Sequence, residues 1–309
     1  MAVDGTSHHA GITVSGFDFD VCVVGHITKD IVRAGQTMRI APGGTAYYTA
    51  LALKRLGLTV AVVTNGAKRD RQYLLRELIR EKVAVFWKDG QRTSAFENIY
   101  SGPGLHTRTQ VLKGAGTPFS PEDVTRLSAW AFHFGPLVNR DIPLPVLKEA
   151  AGKASVVSLD VQGMVRPARL GMITQEDRAD KERWLEWVDF LKADATEAFI
   201  LSGERDMDRA AAVLASFGPI EVVITLGSRG SLICAQQRLH RIPSWTPRRL
   251  ADPTGCGDTY MAGYLYQRLK GKTPETAGRF AAAMAALKLE NPGPFKGGTG
   301  DIHAVLSRK

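Results

Sequence analysis

Long apolar runs are missing from this 309-residue chain, and its start, "MAVDGTSHHAGITVSG", has no basic segment leading into an apolar core. Neither a membrane span nor a secretory signal is therefore expected. Cysteine is scarce. Cys22, Cys234 and Cys256 lie far apart, without CxxC or Cys/His spacing, which argues against a zinc site or a disulfide framework and suits a reducing cytoplasm. Cys22 in "DVCVVG" and Cys234 in "SLIC" read as buried thiols. Blocks of one charge sign are absent too. The net charge of +9 comes from scattered residues, with only short pairs such as Arg248-Arg249. Without a long basic stripe interleaved with aromatics, nucleic acid is not the expected partner, and small ligands carrying phosphates suit the basic excess better.

What is present is alternation. The runs 20–25, 59–64, 155–160 and 221–227 are continuous and apolar, as strands covered on both faces require. Helical patterns occupy 46–57, 71–82, 206–218, 258–271 and 274–290, several of them closing on glycine. This order predicts an α/β fold with a doubly wound, mostly parallel sheet and helices on both faces. Residues 1–17, with His8 and His9, are expected to be a flexible leader ahead of a single domain over 18–309. Two segments break the rhythm. Residues 32–40 and 94–112, the latter around Gly102-Pro103-Gly104, alternate polar and apolar and predict a small accessory sheet, a lid at the mouth of a site.

Three glycine clusters stand where chain ends meet helices. In "ADPTGCGDTY" (251–260), Gly255, Cys256 and Gly257 precede a helix whose unpaired N–H groups and dipole favour an anion. Asp258 follows at once. It either complements the dipole or accepts a proton from an attacking hydroxyl. Gly43-Gly44 in "APGGTAYYTALAL" precede another helix and allow close approach of a ligand or of backbone. Asp30 lies past the end of the first strand, the edge at which open α/β sheets bind ligands. It fits a hydroxyl acceptor or a turn carboxylate. "TLGSRG" (225–230) is a strand end turning with N–H groups that suit a nucleotide.

"GHITKD", "PGGTAYYTALALKRLG", "DATEAFILSGE" (194–204), "ITLGSRGS" and "DPTGCGDTYMAGYL" occur in this order over roughly residues 20–300. Together they resemble the PfkB/ribokinase family of ATP-dependent carbohydrate and nucleoside kinases. The resemblance implies a ribokinase-like fold with a β lid, ATP and Mg2+ as cofactors, and a dimer as an open option. It implies Asp258 as catalytic base and Gly255, Cys256 and Gly257 as the anion hole. Asp30, Gly43, Gly44 and Thr45 fall on substrate positions, and Thr225, Gly227, Ser228 and Gly230 on nucleotide positions. Glu197, with Asp194, would order magnesium largely through water. Asp252 matches a loop that in many relatives binds a monovalent cation such as potassium.

Departures from the family pattern bear on the acceptor. Asp194 stands where asparagine is usual, and Cys256 where alanine or glycine is. The Cys256 thiol reads either as a low-pKa group open to oxidation or as a small inert filler. Thr45-Ala46-Tyr47-Tyr48 replaces the ribokinase-type polar residues, which argues against ribose. "SLDVQGMVR" (158–166) and "GGTAYYTALAL" are similar to inositol-kinase-like members. Asp160 and Arg166 would then meet the acceptor or a phosphate, the alternative being an internal ion pair or a loop anchor. Tyr48 offers a ring face to a cyclic polyol, or simply packs. The expected reaction is phosphorylation of a hydroxyl on a small sugar or cyclitol, myo-inositol included. A nucleoside kinase and a non-catalytic ligand sensor of the same fold are the alternatives.

Overall fold

Continuous β-branched runs make the centre of the molecule. The computed structural model describes residues 16–101 and 107–308, so most of the expected leader and the Gly102-Pro103-Gly104 turn lie outside the described residues. Strands in chain order are β1 (Phe19–Val24), β2 (Thr28–Ala34), β3 (Thr37–Gly43), β4 (Val60–Ala67), β5 (Ala84–Gly90), β6 (Ala95–Ser101) and β7 (Thr107–Gly114). They continue with β8 (Ala129–Phe134), β9 (Val156–Asp160), β10 (Gly171–Met172), β11 (Phe190–Asp194), β12 (Glu221–Thr225), β13 (Ser231–Ala235) and β14 (Arg238–Ile242). The large sheet has the order β14-β13-β12-β11-β9-β8-β1-β4-β5. It is parallel from β5 to β12, and β13 and β14 close one edge antiparallel.

The helices are α1 (Thr45–Arg55), α2 (Arg71–Arg80), α3 (Leu144–Ala151), α4 (Lys181–Leu185), α5 (Ala195–Ser202), α6 (Met207–Ser216), α7 (Cys256–Leu269), α8 (Pro274–Leu289) and α9 (Thr299–Leu306). Alternate strand residues point to opposite faces, and two apolar cores result. Val21 and Val23 join the core under α1, α2, α7 and α8, whereas Cys22 and Val24 join the one under α3, α5 and α6. Each fully buried Val or Leu contributes about 1.5–3 kcal/mol relative to exposure. Among the described residues no helix is long and apolar enough to cross a membrane.

Two local features aim the end of α7. Its pairing with α8 is close, since a Cβ on Gly263 would come 3.1 Å from the Ala281 Cα. The helix expected from residue 258 begins earlier, at Cys256, because Gly255 adopts a left-handed φ of 76° as N-cap. The "GCGD" residues are therefore the cap and first turn of the helix itself. The smaller sheet, in the order β10-β7-β6-β2-β3, is broader than the two segments expected for it. The 32–40 stretch is the tip of a β2–β3 hairpin that runs down to Gly43, and β2 pairs with β6 in parallel.

Candidate active site

The first turn of α7 separates two concavities. On one side a small pocket is lined by Asp30, Thr45, Tyr48, Arg166, Gly255 and Asp258, with Gly44 at its wall. The small sheet supplies part of this lining through Asp30, Phe96 and Gln110. On the other side lies a cleft of about 550 Å³ lined by Thr225, Gly227, Ser228 and Gly230, all four of the expected nucleotide positions, together with Cys256 and Gly257. Its remaining wall is largely apolar, from Trp245, Leu250, Ala282, Ala286 and Leu289.

Gly255 lies against the Tyr48 ring, which leaves no room for a side chain on its Cα. Among the described residues no main-chain carbonyl takes the Gly257 or Asp258 N–H, as the start of a helix requires. Cys256 departs from expectation in its main chain, while its thiol takes one of the two expected roles. Its N–H donates to the Pro253 carbonyl at 3.1 Å, so it helps form the turn instead of facing an anion. Burial pushes its thiol up to about 11, and Sγ lies 3.7 Å from the Ala285 carbonyl. That makes the side chain an inert filler, not an activated thiol.

The Asp258 carboxyl is pushed up to about 6, first by burial and then by the nearby Asp160 carboxylate. Lys192, a hydrogen bond from Thr45 and the Arg166 guanidinium hold it from rising further. Asp160 itself does not line the small pocket. Its Oδ2 lies 2.9 Å from Lys192 Nζ and its Oδ1 accepts the Gln162 N–H, so the ion-pair alternative is the one realised. Gly43 also stays out of the pocket, and its missing side chain makes room for the Asp30 carboxylate.

Lys192 escaped the sequence reading. It is buried, 2.9 Å from Asp160 and 3.9 Å from Glu197, and a Cβ on Gly257 would lie 3.3 Å from its Nζ. Burial opposes its charge, but the two carboxylates outweigh that and hold the ammonium well above the usual lysine range. A lysine inside the apolar run "FLKAD" was the available signal.

Asp194 and Glu197 form a reciprocal cap on α5. The Asp194 N–H donates to Glu197 Oε2 and the Glu197 N–H to Asp194 Oδ1, each at 2.8 Å. Burial raises the Glu197 carboxyl. Each carboxylate has one oxygen outside this cap, and Asp194 is the register partner of Thr225 in the cleft. Among the described residues no three His, Cys, Asp or Glu side chains converge as a direct ligand set. Asp194, in register with Thr225 of the cleft, fits magnesium held through water and not in a closed inner sphere, with the buried Glu197 fixing it through their shared cap. Each oxygen of Asp252 already has a partner. Its Oδ1 accepts the Thr254 N–H at 2.9 Å, its Oδ2 the Gly293 N–H at 3.3 Å, and its carbonyl the Lys288 ammonium at 2.7 Å.

Known proteins resemble this chain over most of its length. The description of the pfkB family of carbohydrate kinases matches residues 10–296. A ribokinase from Bacillus subtilis is 26% identical over 87% of this chain and 92% of its own. A cytidine kinase from Thermococcus kodakarensis is also 26% identical, over 89% of this chain and 98% of its own. Among solved structures, a pyrophosphate-dependent kinase in the ribokinase family, complexed with a pyrophosphate analogue and myo-inositol, is 27% identical. It superposes with a TM-score of 0.83, covering 92% of this chain and 100% of that one.

Proposed function

Because the chain belongs to the PfkB family of carbohydrate kinases, ATP-dependent phosphotransferases with an alcohol group as acceptor, we propose that it phosphorylates a hydroxyl of a small sugar or cyclitol, with an inositol as the favoured acceptor. One observation carries this reading: the polar pocket and the apolar-walled cleft meet at the first turn of α7, where Asp258 faces the first and Gly257 the second. In this reading Asp30 and Arg166 orient acceptor hydroxyls, and Tyr48 backs both the ring and Gly255. The Asp258 carboxylate takes the hydroxyl proton as the new O–P bond forms and the bridging bond to ADP breaks. The Gly257 N–H and the helix dipole receive the charge on the moving phosphoryl group, with Lys192 directly behind. Magnesium, held through water by Asp194 with Glu197 fixing that carboxylate, would neutralise charge on the donor phosphates.

Acidity provides the first test. A base must be ionised, so kcat/KM should fall as pH drops through about 6, the value to which the Asp258 carboxyl is raised, and level off above it. A profile flat down to pH 4, about the ordinary carboxyl value, would remove Asp258 from that role.

Donor and acceptor are tested together by a coupled assay of ATP against pyrophosphate over inositols, ribose and cytidine. The cleft beyond Gly257 is walled by Trp245, Leu250 and Ala286, surface that a flat base covers and that pyrophosphate would leave bare. ATP with an inositol should therefore give the highest kcat/KM. Faster turnover with pyrophosphate would overturn the donor assignment, and a preference for cytidine would favour a nucleoside kinase. Tight polyol binding with no phosphoryl transfer from either donor would favour a ligand sensor.

A further inference from the structure

Lys288 is the other buried ammonium near α7. It lies in the last turn of α8, at the inward position four residues after Met284, and its side chain is 0% exposed. Lysines near helix C-termini commonly reach the last carbonyls of their own helix while the ammonium stays in water. Lys288 does otherwise. Its Nζ donates to the Asp252 carbonyl at 2.7 Å, across 36 residues of sequence, and to the Asn291 carbonyl at 3.4 Å, with Asp252 Oδ2 at 4.0 Å. Two main-chain carbonyls and a carboxylate around one positive charge match the oxygen donors that strip water from a monovalent cation. An ammonium carries three donors and fills such a set from within the chain.

The loop it holds leads straight into Gly255. The Asp252 carboxylate ties Thr254 to Gly293, and the Ala251 N–H donates to the Leu289 carbonyl at 2.8 Å. Lys288 therefore braces the segment that sets the N-terminus of α7, and places a fixed charge beneath it. A potassium ion coordinated through the Asp252 carbonyl does not fit beside Nζ, because two like charges would then share one carbonyl oxygen that the ammonium already holds at 2.7 Å.

We propose that Lys288 takes the place of the monovalent cation at this loop, so that the protein binds no potassium there and its turnover does not depend on it. The inference rests on the reading of the α7 first turn as the phosphoryl site, and its first test is independent of that reading. The full chain is melted in potassium chloride and in choline chloride at equal ionic strength. The wild-type Tm should be the same in both, whereas Lys288→Ala should gain a potassium-specific rise of about 2 °C or more, since a ligand of the native state stabilises it. In a second arm, wild-type turnover should be equal in both salts. Lys288→Ala should lose roughly 10²-fold in choline, as when an oxyanion contact is removed, and recover part of it in potassium. A potassium-specific rise in wild-type Tm or turnover overturns the proposal, and so does full turnover of Lys288→Ala in choline. Should Lys288→Ala fail to fold, the wild-type comparison decides by itself. Absence of kinase activity would sink the proposed reaction and leave the melting arm intact.

Discussion

Asp258→Asn is expected to lower turnover about 10²–10⁴-fold, the range for a missing general base, while making the protein more stable at neutral pH. The two effects have one cause. In the folded chain the carboxyl is raised from an ordinary 3.8 to about 6 by burial and by Asp160. The sign follows from proton binding. Between those values the folded state holds more protons than the unfolded one, so stability falls as pH rises through this window. At pH 7 the ionised group therefore costs the fold something on the order of 1–3 kcal/mol. Asparagine keeps the shape and removes the charge. Steady-state kinetics and thermal melts at pH 7 and pH 4.5, about the middle of that window, check both halves. The gain in Tm should be present at the higher pH and shrink at the lower one. Wild-type turnover in the variant would end the assignment of Asp258 as the base, whatever its stability.

The second large effect falls on Lys192. Lys192→Met leaves Asp160 and Glu197 buried without their cation. Breaking a buried pair on one side costs about 3–5 kcal/mol, on the order of a 10 °C fall in Tm. Turnover should drop by roughly 10²-fold as well, because the charge behind Gly257 disappears. The double variant Lys192→Met/Asp160→Asn separates these losses. It removes the nearer of the two stranded carboxylates and should regain part of the lost Tm without regaining turnover. A purely structural lysine would let turnover return together with stability. The acid limb of the pH profile gives a further readout in the single variant. Lys192 holds the Asp258 carboxyl down, so its loss should move that limb above pH 6, the value at which Asp258 stands in the wild type.

These variants also mark the boundary between what short stretches encode and what the folded chain assembles. The parallel core strands were readable because burial on both faces leaves a continuous apolar run. β8 and β11 were not, since "AWAFHF" and "FLKAD" carry a histidine and a lysine within the run. His133 is buried and bonded to Ser158, with burial lowering its pKa to about 4, so it sits neutral inside the sheet. The hairpin of β2 and β3 extends past the expected 32–40 because its lower rungs pair through Asp30 and Gly43, residues that look like loop chemistry in isolation.

By itself the sequence determined the α/β alternation, the family, and part of the lining around α7: Asp30, Thr45, Tyr48, Arg166, Gly255 and Asp258 at the pocket, and Thr225, Gly227, Ser228 and Gly230 at the cleft. Each depends on contacts within a few residues or on motif order: a left-handed glycine before a helix, an acid in the first turn, a strand that ends in "TLGSRG". Only the tertiary structure decided which charges meet. Strand order sets β11 beside β9, so Lys192 becomes the register partner of Asp160, and the packing of α8 on α7 carries Lys288 under Asp252. A lysine's partner across a sheet or a helix pair has no fixed spacing along the chain. The neutralising charges behind the α7 turn therefore became visible only in the fold.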